Sequence, residues 1–515
     1  MLESSEKNKK IAKNTIFLYI RMLLTMVVSL YTSRVVLATL GADDYGIYNV
    51  VGGVVTMFAF LNGMLSGVTQ RYITFEIGTG DKNKLKRIFN TSMCIHWIVA
   101  LIIFILALTV GLWFVYNKLV IPPERFTAAI WVYLLSILST MVLVVSLPYN
   151  ACIIAHERMS AFAYISIIEV TLKLLMVFVL KLISYDSLIV YAVFLFLVQL
   201  LIRGIYTYYS KRHFDETHYK LEMDKGLARE IIGFTGWSFF GGLASVGMGQ
   251  GLNILLNMFF TPTVNAARAI AQQVESAIHG FVQNFQTAMN PQIIKNYASN
   301  DLPQMHALVF ASCRYSYYML FLIALPIILE APTILSIWLI EVPEHTVSFL
   351  RITILIGLVN SISTPLMTAA NASGRIKIYQ IIVGSILLLI VPAAYVTLIF
   401  GASPEFVLWI YLVFVAIAQC ARLMIVRSLV HLSIRKFHEL VVVPVFKVTF
   451  LGFLIPVICN YYFVDGIISV LCVCIISFIS VLLTIYIVGI NKYERDFIIH
   501  KVNQLVSFLS KNRIE

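Results

Sequence analysis

Apolar runs long enough to cross a lipid bilayer recur along the whole chain, and this recurrence limits the fold more than any other feature. A transmembrane helix needs about 20 mostly apolar residues, because each residue advances the helix by about 1.5 Å. Of the 515 residues, 60% are hydrophobic and only 12% are charged, and the mean hydropathy is +0.87. A soluble domain has too little interior to bury such a fraction. The sequence therefore predicts an all-α polytopic membrane protein.

The hydropathy pattern and its polar breaks predict fourteen transmembrane helices. Their approximate bounds are 11–39, 46–74, 87–116, 125–149, 157–182, 186–209, 229–260, 264–294, 303–328, 344–372, 376–400, 404–428, 440–463 and 466–490. The tail, 491–515, mixes apolar residues such as Phe497 and Leu505 with Lys and Arg. This tail is predicted to be an amphipathic helix at the cytoplasmic membrane surface and not a fifteenth span.

Basic residues indicate the orientation of these helices. With the N-terminus in the cytoplasm, 26 of the 38 Lys and Arg residues fall in cytoplasmic segments, three in segments on the opposite side and nine within spans. Positive residues favour the cytoplasmic side, and one helix more or fewer would exchange the sides of all later segments. Both termini are therefore predicted to be cytoplasmic. Because the basic residues separate apolar runs and form no soluble basic surface, the net charge of +12 does not indicate nucleic-acid binding.

Similar polar breaks recur in the two halves of the chain at an offset of 220 residues. Asp81 then falls on Asp301 and Ser92 on Ser312, although overall identity at this offset is close to chance. We predict five parts: an N-terminal six-helix bundle (1–209), a cytoplasmic linker (210–228), a C-terminal six-helix bundle (229–428), two additional transmembrane helices (429–490) and the tail (491–515). Equal orientation of the halves predicts a pseudo-two-fold axis along the membrane normal, with a substrate site between the bundles.

Arginines inside the predicted spans are the main candidates for function, because charge in a bilayer is expensive. Arg34 ends the first predicted helix just before Asp43 and Asp44, and Arg268 begins the eighth, so both are expected near the outer mouth of the cleft. Guanidinium can bind phosphate through two parallel hydrogen bonds. A phosphate site is therefore one interpretation of these two arginines. A structural salt bridge between Arg34 and one of the two aspartates is the other.

Two carboxylates lie deep within predicted spans. Glu169 and Lys173 are four residues apart on the fifth helix, which predicts an ion pair on one helix face. Glu275 lies two turns below Arg268 and is expected to pair with a basic neighbour. For Glu169 and Glu275, coupling of transport to an ion gradient is the alternative interpretation.

Further polar residues are expected to line a cavity or to need no special function. Gln250 and Asn253 lie in a glycine-rich part of the seventh helix, and Gln272 lies one turn below Arg268; all three are cavity-lining candidates. Arg203 and Arg422 lie near the cytoplasmic ends of the sixth and twelfth helices. We expect their side chains to extend to the membrane surface.

No catalytic or metal-binding pattern occurs in the sequence. The ten histidines are scattered, there is no H-E-x-x-H motif or nucleophile elbow, and every loop is short. The sequence thus predicts a protein that is not an enzyme, with no catalytic residue and no metal site. A membrane glycosyltransferase or glycan polymerase, the alternative from another class, would generally carry a long extracytoplasmic loop with catalytic polar residues. A pure assembly or scaffold protein is the remaining alternative.

Three segments carry a family resemblance: SRVVLATLGADDYGIYNVVGG, QRYITFEIGTGD and NAARAIAQQVESAIHGFVQNFQTAMNPQIIKNYASND. They resemble the polysaccharide-export branch of the multidrug/oligosaccharidyl-lipid/polysaccharide (MOP) flippase superfamily, and within it an O-antigen (Wzx-type) or lipopolysaccharide-biosynthesis flippase. The resemblance covers roughly 11–430, the twelve-helix core. It implies a MATE-like fold of two six-helix bundles around a V-shaped cavity that opens alternately to either side of the membrane.

The resemblance also implies a substrate and its binding residues. The substrate is an undecaprenyl-pyrophosphate-linked oligosaccharide, moved from the inner to the outer leaflet of the bacterial cytoplasmic (inner) membrane. Cationic cavity residues hold the pyrophosphate in related flippases; here they would be Arg34 and Arg268, with Arg21 and Arg314 behind them. No cofactor is implied beyond coupling to a proton or sodium gradient, and the partners would be membrane lipid and polysaccharide polymerase machinery. The alternative within this fold is a cation-coupled multidrug or metabolite exporter, which would need acidic residues in the cavity.

Overall fold

Helices make up almost all of the described part of the chain. The structure is a computed structural model that describes residues 14–28, 31–32, 35–36, 39–40, 44, 47–48, 51, 59–118, 121–180, 182–183, 185–220, 222–260, 262–339, 342–462, 466–491 and 494–496. Lipid offers no hydrogen-bond partners, so a spanning segment must satisfy its backbone internally, as a helix does. No β-strand occurs in these ranges, and the predicted all-α class is confirmed.

The helices, in chain order, are α1 (Asn14–Val28), α2 (Ala59–Thr79), α3 (Lys82–Leu106), α4 (Leu112–Lys118), α5 (Phe126–Ala155), α6 (Met159–Leu180), α7 (Ser187–His213), α8 (Lys225–Phe259), α9 (Pro262–Ala298), α10 (Leu302–Leu329), α11 (Ala331–Trp338), α12 (Thr346–Ala372), α13 (Lys377–Leu388), α14 (Ile390–Ile399), α15 (Pro404–Val430), α16 (Ile434–Phe437), α17 (Val443–Tyr462) and α18 (Ile467–Thr484). Single π-helical turns join α3 to α4 and α16 to α17. Short 3₁₀ turns lie at Pro123–Arg125 and Asp215–Thr217.

Within the described residues, eleven helical stretches are long and apolar enough to cross a membrane. Three further helices, α1, α2 and α9, lie within the remaining predicted spans. The residues on both sides of α1 and those directly before α2 are outside the described ranges, whereas α9 is long but rich in polar residues. Each of the fourteen predicted spans therefore contains a helix. The eight-residue α11 was not predicted, and the predicted tail helix lies almost wholly outside the described residues.

The chain divides into two compact units. The first comprises Met1–Gly242 and Thr287–Met305, and the second comprises Leu243–Gln286 and His306–Glu515. In the first unit, α5 packs against α2, α3, α6 and α7. In the second unit, α15 packs against α12, α13 and α14, and α17 packs against α18. The domain boundaries given by the sequence concern membrane topology and stay predictions.

The polar segment predicted as a linker is attached to the first unit along its length. The backbone N–H of Lys220 donates to Asn90 and that of Asp224 to Thr91, both on α3. Glu216, which is buried, accepts a hydrogen bond of 2.6 Å from His156 Nε2. The segment therefore follows the surface of this unit as an ordered connection between α7 and α8.

Local structure repeats at the offset that the sequence suggested. Asp81 and Asp301 precede α3 and α10, and each carboxylate accepts from the N–H three residues later, at 3.0 and 3.1 Å. The residue before each aspartate, Gly80 or Asn300, has a positive φ (82° and 60°). Such a left-handed residue followed by an N-cap closes one helix and starts the next. The shared pattern of the two halves is therefore visible in backbone geometry where sequence identity is weak.

Candidate functional site

Three basic side chains interact with one carboxylate within the first unit. Lys173 Nζ lies 2.7 Å from Glu169 Oε1, which is the predicted ion pair on α6. Arg21 on α1 and Arg203 on α7 both interact electrostatically with Glu169. We call these four residues the cationic cluster. One carboxylate cannot neutralise three bases, so the cluster carries an excess of positive charge inside the membrane-spanning helices.

Aromatic rings hold the two arginines of the cationic cluster. The Arg21 guanidinium lies 4.5 Å from the centre of the Phe162 ring, and that of Arg203 lies 5.4 Å from the centre of the Tyr206 ring. Stacking of this kind fixes a guanidinium plane without consuming its N–H donors. The Nε of Arg21 and the Nε of Arg203 have no hydrogen-bond partner among the described residues. The described residues therefore leave some N–H donors of the cluster unpaired.

The prediction that Arg203 extends to the membrane surface did not include the partners that the structure gives this side chain. Glu169 lies ten residues after the start of α6, and Arg203 lies ten residues before the end of α7. Ten residues of helix span about 15 Å, and the Arg203 side chain interacts with Glu169 and Tyr206. Within the first unit, the Arg203 side chain is therefore held by these two partners. The sequence predicted the pair of Glu169 with Lys173 and named Arg21 as a candidate, but it did not place Arg21 or Arg203 beside Glu169.

Arg268 is fully buried within the second unit, with only 1% of its surface exposed. It donates to the Gly249 carbonyl at 3.2 Å and to Asn253 Oδ1. Asn253 in turn donates to Gln250 Oε1 at 3.2 Å, so two of the predicted cavity-lining residues support the arginine. The third, Gln272, is exposed on α9. No carboxylate pairs with Arg268 among the described residues, and its Nε has no partner there.

Glu275 lies against α12 in the same unit. A Cβ atom at Gly357 would come within 2.8 Å of Glu275 Oε1, so glycine at 357 permits this close approach. The expected ion pair with a basic neighbour does not occur among the described side chains. Tyr411 instead interacts electrostatically with both Glu275 and Arg268. The carboxyl group of Glu275 therefore has no cationic partner among the described side chains, and its coupling role stays a prediction.

Arg422 also differs from its prediction, because it is buried and does not extend to the membrane surface. It donates to Ser363 Oγ at 2.7 Å, and Ser363 donates to Gln419 Oε1 at 2.6 Å. Tyr379, which is buried on α13, lies beside the guanidinium. These contacts join α12, α13 and α15 and give Arg422 a structural role within the second unit.

Arg314 has a carboxylate partner, in contrast to Arg268. Its Nη2 lies 2.7 Å from Glu494 Oε1, and its Nη1 donates to the Gly489 carbonyl at 3.4 Å. Tyr318 donates to the same carbonyl at 3.0 Å. Arg314 thus ties α10 to the segment that follows α18. This arrangement neutralises its charge, while its predicted role in substrate binding stays a prediction.

The acidic residue Asp44 has a partner that sequence reasoning did not identify. Arg34 and Asp43 lie outside the described residues. Asp44 pairs with Arg125, whose Nε donates to Asp44 Oδ1 at 2.8 Å and whose Nη1 donates to Asp186 Oδ2 at 2.6 Å. Burial alone would raise the pKa of Asp186, but the Arg125 guanidinium and the backbone N–H groups of α7 hold it below its usual value.

No metal site accompanies these charges in the described ranges, where no group of three or more His, Cys, Asp and Glu side chains could hold an ion. The site residues therefore form two separate sets. The first unit contains the cationic cluster, and the second contains Arg268 with Gln250, Asn253 and Tyr411. Both sets offer guanidinium groups whose charge the neighbouring described side chains do not fully neutralise.

Solved structures of similar fold are transporters. A multidrug resistance MATE family transporter of the MOP superfamily, in an outward-facing conformation, is 14% identical, with a TM-score of 0.72 over 82% of this chain and 96% of that one. A MATE in complex with MaD3S is 15% identical, with a TM-score of 0.69 over 82% of this chain and 97% of that one. A MOP superfamily transporter from Pyrococcus furiosus, described as having a binding pocket of reverse polarity that suggests a different function, is 14% identical, with a TM-score of 0.67 over 82% and 96%. No curated protein sequence matches this chain.

A match to a family sequence model identifies the family. The family model described as "Polysaccharide biosynthesis protein" matches residues 9–297, more than half of the chain. This range contains α1 to α8 and nearly all of α9, and with them the whole cationic cluster and Arg268. The fold likeness to MATE transporters agrees with that match. The chain therefore belongs to the polysaccharide biosynthesis protein family of the MOP flippase superfamily, and it is a multi-pass membrane transporter of MATE-like fold.

Proposed function

We propose that this transporter is a flippase for an undecaprenyl-pyrophosphate-linked oligosaccharide. It moves this lipid from the cytoplasmic to the periplasmic leaflet of the bacterial inner membrane by alternating access, for synthesis of a surface polysaccharide such as O-antigen, lipopolysaccharide or capsule. The observation that carries the proposal is the cationic cluster, in which Arg21, Lys173 and Arg203 outnumber Glu169. A site of this charge attracts a diphosphate and repels a cationic drug.

The chemistry of the substrate fits the residues that surround this charge. Guanidinium groups stacked on Phe162 and Tyr206 keep N–H donors for phosphate oxygens. Arg268 adds a buried cation without a carboxylate partner among the described residues. The prenyl chain can stay in the lipid while polar side chains accompany the sugars. Arg34 belongs to the same proposal as a further phosphate ligand, as does coupling to a proton or sodium gradient through Glu169 or Glu275.

A multidrug or metabolite exporter is the competing function within this fold. One of the similar structures is a multidrug resistance transporter. The Pyrococcus furiosus transporter, however, is described as having a pocket of reverse polarity, so pocket charge is one feature on which members of this fold differ. The cationic cluster favours an anionic substrate over the cationic drugs that such exporters generally carry.

The test is the lipid-linked glycan content of each leaflet in cells depleted of the transporter. We expect the glycan to accumulate on the cytoplasmic side and surface polysaccharide to disappear. A plasmid copy of the wild type should restore export, whereas Arg21→Gln, Arg203→Gln and Arg268→Gln should each reduce it by about tenfold or more, since a charge-assisted hydrogen bond contributes about 1.5–3 kcal/mol. Arg427→Gln is the matched control, because Arg427 is exposed on α15.

Two results would decide against the proposal. Unchanged glycan intermediates in depleted cells would exclude a flippase and would favour the exporter, to be tested by dye efflux with Glu169→Gln and Glu275→Gln. Wild-type export by all three arginine variants, at wild-type protein levels in the membrane, would remove these residues from the substrate site. Joint loss of Arg34 and Arg268 extends the test to the predicted outer mouth of the cleft.

A further inference from the structure

A carboxylate from near the end of the chain is bound by an arginine deep in α10, within the second unit. Arg314 lies twelve residues after the start of α10, about 18 Å along the helix, and its side chain is only 6% exposed. Its Nη2 lies 2.7 Å from Oε1 of Glu494, which belongs to the segment after α18. Among the described residues, Glu494 is the one acid that pairs with Arg314.

Several hydrogen-bond donors converge on this carboxylate. Besides Arg314, the backbone N–H of Asn491 donates to Glu494 Oε2 at 2.8 Å, and the side chain of Tyr315 interacts with the same carboxylate. The Nε of Arg314 is buried and has no partner among the described residues, so the guanidinium retains one further donor. Guanidinium, amide and phenol donors bind carboxylate and phosphate oxygens alike. The Glu494 carboxylate therefore occupies a site whose chemistry suits an oxyanion.

The turn that carries Glu494 has support of its own. Asn491 Oδ1 accepts the N–H of Glu494 at 2.8 Å, and Glu494 accepts the N–H of Asn491 in return, which is a capping box at the start of a helix. The Nη2 of Arg495 donates to the Ile487 carbonyl at 2.7 Å and ties this turn to the end of α18. None of these contacts involves Arg314, so the turn does not depend on the ion pair.

Arg314 cannot lose Glu494 at low cost unless another anion takes its place. A buried cation without a counter-ion is unfavourable in a membrane-spanning helix. Departure of Glu494 and arrival of an anion at Arg314 therefore favour each other. The Gly489 carbonyl accepts hydrogen bonds from Arg314 Nη1 at 3.4 Å and from Tyr318 at 3.0 Å, and it positions the guanidinium independently of Glu494. The Glu494 side chain is 19% exposed, which gives an exchanging anion access to the pair.

We propose that Glu494 is an internal competitor for Arg314 and is displaced when a diphosphate group binds there. A diphosphate offers the same kind of acceptor oxygens as a carboxylate but carries more negative charge, so it is the stronger partner of a guanidinium. The source of this group is the lipid-linked diphosphate, and that assignment rests on the proposed function. Glu494 keeps Arg314 neutral in the empty transporter and weakens apparent anion binding, because only molecules in which Glu494 has left Arg314 bind the anion.

The experiment removes the charge of Glu494 but keeps its helix cap, since Gln also fits this position of a capping box. Glu494→Gln is compared with Asp496→Asn, which loses the same charge at an exposed position two residues later. The full-length proteins in detergent are titrated with undecaprenyl diphosphate in native mass spectrometry and with inorganic pyrophosphate in thermal-shift assays. We expect Glu494→Gln to bind both probes about tenfold more tightly than the wild type, and Asp496→Asn to stay within about twofold.

A second substitution shows whether the gain arises at this site. Arg314→Gln combined with Glu494→Gln should abolish the tighter binding of both probes. Unchanged or weaker binding of both probes by Glu494→Gln would overturn the proposal and leave Glu494 as a structural counter-ion. Tighter binding of pyrophosphate alone would support the competition and exclude the lipid-linked diphosphate as the displacing anion.

Failure of the flippase proposal would be visible separately. Undecaprenyl diphosphate would then bind the wild type no better than it binds Arg21→Gln and Arg203→Gln, whatever the result at Glu494. If Glu494→Gln is too unstable to titrate, Glu494→Asp keeps the charge on a shorter side chain. We expect this variant to bind pyrophosphate about threefold more tightly than the wild type, and wild-type binding by Glu494→Asp would count against the competition.

Discussion

One arginine and two aspartates that are far apart in the sequence form a compact ion-pair group. Arg125 contacts Asp44 and Asp186, which are 81 and 61 residues away in the chain. A salt bridge of Arg34 with Asp43 or Asp44 was one of two interpretations of the sequence, because these residues are close along the chain. Ion pairs between helices depend on tertiary packing, which hydropathy does not report. The sequence therefore shows which residues are charged but does not show which of them form ion pairs with one another.

Substitution of Asp186 with Asn removes the negative charge of the side chain but keeps its size and one acceptor oxygen. Asp186 also accepts hydrogen bonds from the N–H groups of Leu188 and Ile189 at the start of α7, a role that Asn can retain. We expect Asp186→Asn to lower the free energy of unfolding at neutral pH by about 1.5–3 kcal/mol, the contribution of a charge-assisted hydrogen bond. The measurement is thermal unfolding in detergent micelles, followed by intrinsic fluorescence.

The pH dependence of the melting temperature tests whether the stabilisation comes from the charge of Asp186. The folded-state pKa of Asp186 is lowered, so its stabilisation is present above the unfolded value of about 3.9 and is lost as the pH falls through the folded pKa. The melting temperatures of wild type and Asp186→Asn should therefore differ at pH 7 and converge below about pH 4. A constant difference across this range would mean that the effect comes from packing and not from the charge.

Helical elements were the most predictable part of the molecule. Long apolar runs indicate the spans, and a helix occurs in each of the fourteen predicted stretches, whereas the orientation indicated by positive charge stays a prediction. The sequence did not predict α11, which has eight residues and lies between two spans. The segment after α7 was predicted as a linker, because its contacts with Asn90 and Thr91 arise only after α3 and α7 pack.

The turn between α5 and α6 holds the end of α9 through one buried carboxylate. Glu157 has a φ of 59°, and the residue 217 positions later is Gly374, with a φ of 74°. A non-glycine residue in this region costs about 1–2 kcal/mol, yet here it places a carboxylate between Gln292 Nε2, at 2.6 Å, and Lys295 Nζ, at 2.5 Å. The turn therefore uses a strained residue where the other half uses glycine.

Removing the charge of Glu157 should loosen the end of α9. We expect Glu157→Gln to lower the free energy of unfolding by about 3 kcal/mol, because the half-buried Lys295 ammonium would lose its buried carboxylate partner. The matched control is Glu439→Gln, which breaks an exposed pair with Arg435 on one helix and should cost about 0.5 kcal/mol or less. Similar losses in the two variants, measured by thermal unfolding, would contradict a structural role for Glu157.

At the scale of the whole molecule, the sequence predicted that basic residues lie in the helices, but not which of them lie close together. The excess of basic residues in the spans was visible in the sequence and indicated an anionic substrate. The grouping of Arg21 and Arg203 around Glu169 was not, because α1, α6 and α7 meet only in the folded unit. Depth within one helix suggested that Arg203 and Arg422 extend to the surface, whereas neighbouring helices provide their partners.

Glu169 has two possible roles in the transport cycle, and a pair of variants distinguishes them: it balances the charge of the cationic cluster, or it carries the coupling ion. As a partner of Lys173, it limits the positive charge of the cationic cluster. Glu169→Gln should then leave three bases uncompensated and reduce glycan export by about tenfold or more, since a charge-assisted hydrogen bond contributes about 1.5–3 kcal/mol. Glu169→Gln/Lys173→Met removes both charges and restores the original balance, so we expect export by this double variant to return close to the wild-type level.

Export is measured as surface polysaccharide in cells that lack the chromosomal copy. If the double variant stays as inactive as the single one while it folds normally, Glu169 carries the coupling ion, and Lys173 serves only to hold it.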